Sequence, residues 1–201
     1  MTTMEKQRIV FATANLNKLR EVREIIGSAY NVVGLKDIAC NDDIPETQPT
    51  LEGNSLQKAQ WVKQNYGVDC FSDDTGLEVE ALNGAPGVHS ARYANGTHDM
   101  AANLDLLMRN MEGVTNRKAR FRTVVTLLLG DECHQFEGIV NGHIALRRGG
   151  SEGFGYDPVF IPEGESRTFA EMTDEEKNAI SHRGRAMRQL ADFLKLHDKH
   201  S

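Results

Sequence analysis

Cysteine is scarce in this 201-residue chain, and the three present, Cys40, Cys70 and Cys133, are odd in number and too far apart for a C-x-x-C motif. A disulfide framework, a zinc ribbon and a thioredoxin-type centre are thereby excluded, and the thiols read as reduced, as in the cytoplasm. Long apolar runs are missing too. The N-terminal Met1 to Arg8 is polar, and the run after it, Ile9 to Ala14, is too short for a signal-peptide core or a membrane span. There is no excess of positive charge: 23 Lys and Arg stand against 29 Asp and Glu, a net charge of −6. A general attraction to nucleic acid or to an anionic membrane is not expected, and an anionic ligand must meet local basic clusters. Neither G-x-x-x-x-G-K-[ST] nor G-x-G-x-x-G occurs, which removes the P-loop and the Rossmann fingerprint. With no repeats, linkers or low-complexity tracts, residues 1–201 read as one domain, long enough to bury roughly 70% of its unfolded surface.

What the chain does have is a mixture of strand and helix signals. Ile9-Val10-Phe11-Ala12 reads as a buried strand, and Leu19, Val22, Ile25 and Ile26 recur at helical spacing with Gly27 at the C-cap. Val32 and Val33 suggest a short strand, and residues 41–50 a polar loop with Pro45, Pro49 and an acidic tip. Leu56, Ala59, Val62 and Tyr66 form a helical stripe that sets Lys58 on the neighbouring surface. Leu77, Val79 and Ala81 alternate with Glu78 and Glu80 as in a half-exposed strand. A helix carries Leu104, Leu107, Met108 and Met111. Phe121 to Leu129 and Gln135 to Leu146 are longer strands joined at Gly130-Asp131-Glu132. Arg147 to Pro158 is a glycine-rich loop, Thr173-Asp174-Glu175-Glu176 opens a helix with a capping box, and Met187, Leu190, Ala191 and Leu194 continue a core-facing stripe.

Several groups of residues point to chemistry, each with a plain alternative. Phe71-Ser72-Asp73-Asp74-Thr75-Gly76 ends an apolar run on two adjacent carboxylates before an expected Thr-Gly turn. Adjacent aspartates either cap a strand terminus or share a cation that neutralises them. Glu46 on the polar loop supplies a third carboxylate, and hard oxygen ligands of this kind suit Mg²⁺ bridging protein and phosphates. Thr13-Ala14-Asn15-Leu16-Asn17-Lys18 follows a strand and opens a helix. It is either an ordinary helix start or a phosphate cradle of N–H groups, hydroxyl, amide and ammonium. Lys58 and Lys177 are solvated lysines or phosphate partners. His182 and Arg183 stand where a helix is expected to meet Gly184. Phe154 and Tyr156 lie in the glycine loop, where an aromatic has little core to fill, and offer either a stacking surface for a base or a hydrophobic plug.

Taken with Glu52-Gly53-Asn54-Ser55-Leu56-Gln57-Lys58-Ala59, Gly84-Ala85-Pro86-Gly87, Ser90-Ala91-Arg92-Tyr93, Gly153-Phe154-Gly155-Tyr156-Asp157-Pro158 and Ser181-His182-Arg183, these blocks run in the order of the inosine triphosphate pyrophosphatase family, which the chain resembles. It departs from the family at Gly53-Asn54-Ser55, where Glu-Asn-Ala is common, and at Ala14, where Gly is. The resemblance implies an elongated, two-lobed α/β fold with a long mixed central sheet flanked by helices and a central active-site cleft, in a cytoplasmic homodimer. It implies Mg²⁺-dependent hydrolysis of deaminated purine nucleoside triphosphates (ITP, dITP, XTP) to the monophosphate and pyrophosphate. Asp74 is then general base and metal ligand, supported by Asp73, with Glu46 a second ligand. Thr13 to Lys18, Thr75, Lys58 and Lys177 hold phosphates. Phe154, Gly155, Tyr156, Asp157, His182 and Arg183 form the base pocket. The competing readings are a Maf-like pyrophosphatase on other modified nucleotides, a non-catalytic nucleotide sensor, and a nucleic-acid-binding module that the charge disfavours.

Overall fold

The computed structural model of the chain describes residues 6–96 and 98–199; Met1 to Glu5 of the polar N-terminal stretch lie outside them. The elements are β1 (Gln7–Phe11), α1 (Leu16–Ile26), β2 (Tyr30–Val33), α2 (Leu51–Tyr66), β3 (Cys70–Val79), β4 (Pro86–Gly87), α3 (Met100–Asn110), β5 (Lys118–Leu129), β6 (Glu132–Ile144), β7 (Phe160–Pro162), α4 (Asp174–Ile180) and α5 (His182–Lys199). The strands hydrogen-bond in the order β2-β1-β3-β5-β6-β7, with β4 paired to β3. β1 is parallel to both neighbours, Ile9 facing Val32 and Phe11 facing Phe71, while β4 and β7 join antiparallel, so the sheet is mixed. Among the described residues no helix is long and apolar enough to cross a membrane, and the three cysteines are free thiols.

The chain divides into two compact units, Met1–Asp74 with Val124–Glu137 and Gly184–Ser201, and Thr75–Thr123 with Gly138–Arg183. In the first, β1 is apolar at every position from Ile9 onward because helices cover both its faces. Ile9 and Phe11 join Val22 and Ile26 of α1 and Met187 and Leu190 of α5, and the Phe11 and Phe71 rings stack at 4.7 Å. Val10 and Ala12 point the other way, to Ala59 and Val62 of α2. α2 starts at Leu51 because Thr50 accepts a hydrogen bond from Gly53 N–H, and it ends at Gly67, whose φ of 64° only glycine adopts freely. The second unit is built on Leu77 and Val79 of β3, Leu104 and Leu107 of α3, and the ring cluster Phe121, Phe160 and Phe169.

Three expectations need correction. The Thr75-Gly76 pair does not turn: β3 runs unbroken from Cys70 to Val79 and its sheet neighbours pair its backbone, so a turn there would orphan buried N–H and C=O groups. Gly184 does not break a helix, for it lies in the first turn of α5. The break is at Ser181, extended at ψ 159° and closing α4 through its N–H to Lys177 O. Lys58 is not on the surface, being only 7% exposed.

Candidate functional site

In the first unit the alternation of β3 sorts its polar residues between two faces. Phe71 and Asp73 share the face toward α1, where Lys18 Nζ reaches Asp73 Oδ1 at 3.3 Å. Ser72 lies on the other, donating to the carbonyl of Ser55 in α2, and Asp74 shares its side of the strand. From α2, Lys58 Nζ donates to the Asp73 carbonyl and pairs with Glu46 Oε1 at 3.1 Å. Lys18, Lys58, Glu46, Asp73 and Asp74 are thus one electrostatic cluster of three carboxylates and two ammoniums.

The two ends of that cluster behave differently. Burial favours neutral Glu46, but the Lys58 ammonium and its hydrogen bond outweigh this and hold the acid below its usual range. Burial also opposes the charge on Lys58, yet Glu46, Asp73 and Asp74 together raise its pKa. Asp74 is the exception. Burial raises it to about 6 against the pull of Lys58 and Lys18, with Glu46 and Asp73 adding repulsion. Its Oδ2 is buried and has no hydrogen-bond partner among the described residues. A carboxylate so placed is more basic than an exposed one, and a cation beside it would favour its charged form. The oxygens of Asp74 and Glu46 fit a hard divalent ion. Among the described residues there is no group of three or more His, Cys, Asp or Glu that could hold a metal ion.

The loop before α1 is more occupied than its sequence implies. Asn15 is the N-cap, its Oδ1 accepting from Asn17 N (2.9 Å) and Lys18 N (3.3 Å), while Thr13 Oγ1 accepts from Asn15 N. Thr13 and Asn15 therefore shape the helix start. Ala14, Asn15, Leu16 and Asn17 are exposed, Leu16 at 64%.

In the second unit Thr75 Oγ1 shares a 2.8 Å hydrogen bond with Thr123 and accepts from Arg183 Nη2 at 3.4 Å. Asp157 is a buried hub: its Oδ2 accepts from Lys177 Nζ at 2.7 Å and from Phe154 N–H at 3.0 Å. Phe154 is half-buried, with the Lys177 ammonium 4.7 Å and the Arg183 guanidinium 5.5 Å from its ring centre. His182 stacks on Phe121 at 4.5 Å. Gly153 and Gly155 have φ of 73° and 65°, and a Cβ on Gly153 would meet Asp157 Oδ2 at 2.3 Å. Tyr156 corrects an expectation. It is 4% exposed, packs in the core and donates to the Ser90 carbonyl at 2.6 Å, so an aromatic in this loop did have core to fill. Lys177, read as a phosphate partner, is likewise engaged with Asp157 and the Phe154 ring.

Sequence reasoning missed the buried hydroxyls that brace these groups. Ser55 Oγ meets Thr126 Oγ1 at 2.6 Å, and Ser90 Oγ accepts from Leu77 N–H while donating to Gly87 O. A serine or threonine on the inward side of an otherwise apolar strand or helix was the available signal. A separate cavity of about 450 Å³ in the first unit, between Arg8, Leu129 and His197, holds none of the residues above.

Comparison with known proteins gives a consistent result. Residues 9–193 match the sequence profile of the Ham1 family. The chain is 50% identical over 188 residues to the dITP/XTP pyrophosphatase of Flavobacterium psychrophilum, covering 94% of this chain and 99% of that one. It is 53% identical over 189 residues to the dITP/XTP pyrophosphatase of Porphyromonas gingivalis, covering 94% and 97%. The solved structure of the Staphylococcus aureus Ham1 protein superposes with a TM-score of 0.85 at 36% identity, covering 95% of this chain and all of that one.

Proposed function

The chain belongs to the Ham1 family, and from that premise we propose that it hydrolyses dITP, ITP and XTP to the nucleoside monophosphate and pyrophosphate, clearing deaminated purines from the nucleotide pool. It is a hydrolase of phosphoric anhydride bonds. The observation that carries the reading is Asp74, a buried carboxylate raised to about 6, its Oδ2 without a hydrogen-bond partner among the described residues, in a cluster with two lysines.

With a pKa of about 6, Asp74 is largely ionised at neutral pH yet more basic than an ordinary carboxylate, which brings its basicity closer to where a general base works best. It orients and deprotonates the water that attacks the α-phosphorus. Asp73, tied to Lys18, holds that ammonium in place, and Lys58, fixed between the Asp73 carbonyl and Glu46, presents a second positive charge to the phosphates. The loop of residues 13–18 adds the Lys18 ammonium and the Ala14 N–H, the N–H groups of Asn15, Asn17 and Lys18 being taken up within the helix start. Mg²⁺, held by Asp74 and Glu46, would screen phosphate charge and favour the leaving pyrophosphate. Phe154 stacks on the base, with Gly155, Asp157, Lys177, His182 and Arg183 around it, and Tyr156 braces the loop from within.

Hypoxanthine and xanthine carry a carbonyl at C6, which accepts from a donor such as Arg183 or a backbone N–H, whereas adenine would set donor against donor. Each unpaired polar group costs about 1–3 kcal/mol, so several such contacts are needed for strong discrimination. We place the working enzyme in the cytoplasm as a homodimer.

A panel of dITP, XTP, GTP, ATP and modified pyrimidine triphosphates, with pyrophosphate and orthophosphate both measured, tests this. Pyrophosphate from dITP and XTP far faster than from ATP is expected. Equal turnover of all purines removes the selectivity, preference for a modified pyrimidine favours a Maf-like activity, and binding without turnover under Mg²⁺ favours a sensor.

A further inference from the structure

Glu46 lies on a stretch, residues 39–50, that has no regular structure to hold it. A glutamate there has free backbone and three side-chain torsions, yet it meets buried Lys58 at 3.1 Å. The reason lies on α2. Asn54, 3% exposed, accepts from Gln48 N–H at 2.8 Å. Gln57 closes a two-point clamp on Thr47: its Oε1 accepts from Thr47 N–H and its Nε2 donates to Thr47 Oγ1, both at 2.8 Å. Residues 54, 57 and 58 of the helix thus grip residues 48, 47 and 46 of the loop in reverse order. Gly53 permits the close approach, since a Cβ there would lie 2.8 Å from the Cβ of Gln48.

We infer that Gln57 is a positioning residue for Glu46. Its two hydrogen bonds fix the Thr47 peptide, and through it the backbone that carries the Glu46 carboxylate, so that the acid is held for a divalent ion before substrate arrives. An amide is suited to this because it offers a donor and an acceptor in one plane, matched to the N–H and hydroxyl of a single threonine. Orienting partners of this kind are typically worth ten- to a hundredfold in metal affinity.

The inference rests on the cation-holding role proposed for Glu46, so the test separates the two. Gln57→Leu removes both arms of the clamp, Thr47→Val removes the hydroxyl arm but keeps the N–H arm, and Thr47→Ser keeps both. Three quantities are read: Mn²⁺ binding by electron paramagnetic resonance with a non-hydrolysable dITP analogue present, Mg²⁺ half-saturation of dITP hydrolysis, and amide hydrogen exchange at Thr47 and Gln48. For Gln57→Leu we expect Mn²⁺ binding and Mg²⁺ half-saturation to weaken about tenfold, and for Thr47→Val to weaken in the same direction by less. Rate at saturating Mg²⁺ should stay within about twofold of wild type, the two amides should exchange faster, and Thr47→Ser should behave as wild type. If Gln57→Leu fails to fold, Thr47→Val carries the test. Unchanged Mn²⁺ binding in a folded variant whose Thr47 amide exchanges faster overturns the inference, as does a fall in rate with no change in metal dependence. A wild-type protein that hydrolyses none of these nucleotides sinks the proposed function instead.

Discussion

Replacing Asp74 by Asn should make the protein more stable at neutral pH while abolishing hydrolysis. The residue is 8% exposed, Oδ2 has no hydrogen-bond partner among the described residues, and burial raises its pKa from 3.8 to about 6. A shift of about 2 units corresponds to about 3 kcal/mol of unfavourable charge burial in the folded state. The sign follows from proton counting. Between pH 3.8 and about 6 the folded chain holds a proton that the unfolded chain has released, so stability falls as pH rises through that window. Below it the cost is absent and above it the cost is complete. Asn keeps the shape without the charge, so its advantage over Asp should be near its full size at pH 7.5 and decline toward pH 4. The assay is urea unfolding in the presence of EDTA, followed by the fluorescence of Trp61, the single tryptophan, which packs on the apolar cluster under α2. A stability difference that stays flat between pH 4 and 7.5, or a wild type that is the more stable at pH 7.5, would refute the reasoning. Mg²⁺ with a non-hydrolysable analogue should stabilise wild type more than the variant.

Three further substitutions address Lys58 in the first unit and the glycine loop in the second. Lys58→Met leaves Glu46 and the aspartates without their buried cation and should cost about 3–5 kcal/mol by urea midpoint together with most of the activity; a variant as stable as wild type would contradict the burial argument. Gly153→Ala combines a φ of 73° with a Cβ 2.3 Å from Asp157 Oδ2, so it should lose about 1–2 kcal/mol in thermal unfolding and raise KM for dITP. Tyr156→Phe removes a buried hydroxyl bond to the Ser90 carbonyl, and we expect a loss of about 1–3 kcal/mol with KM for dITP unchanged. A large rise in KM at unchanged stability would return Tyr156 to the base pocket.

Much of the frame was legible because it rests on local rules. The strand at Ile9, the helix ending at Gly27, the Gly130 hairpin and the capping box at Thr173 are written in periodicity, cap chemistry and turn residues, and all four occur. The Asp73-Asp74 pair and the Lys18 loop each had two readings in the sequence, a structural cap or helix start and a charged site, and the structure brings Lys18 Nζ to Asp73 Oδ1. The misread turn at Thr75-Gly76 shows where local rules stop, since a Thr-Gly pair bends in isolation but stays straight when neighbouring strands claim its backbone.

The sequence by itself determined most of the longer elements, the lack of a disulfide, P-loop or Rossmann scheme, and the family to which the ordered blocks belong. Only the tertiary structure decided what each side chain of those blocks is engaged in. It buried Lys58 between Glu46 and the Asp73 carbonyl, engaged Lys177 with Asp157, and left Asp74 Oδ2 without a hydrogen-bond partner among the described residues. Hydrogen bonds and desolvation depend on residues tens of positions apart arriving within about 3 Å, a condition that spacing along one chain does not encode.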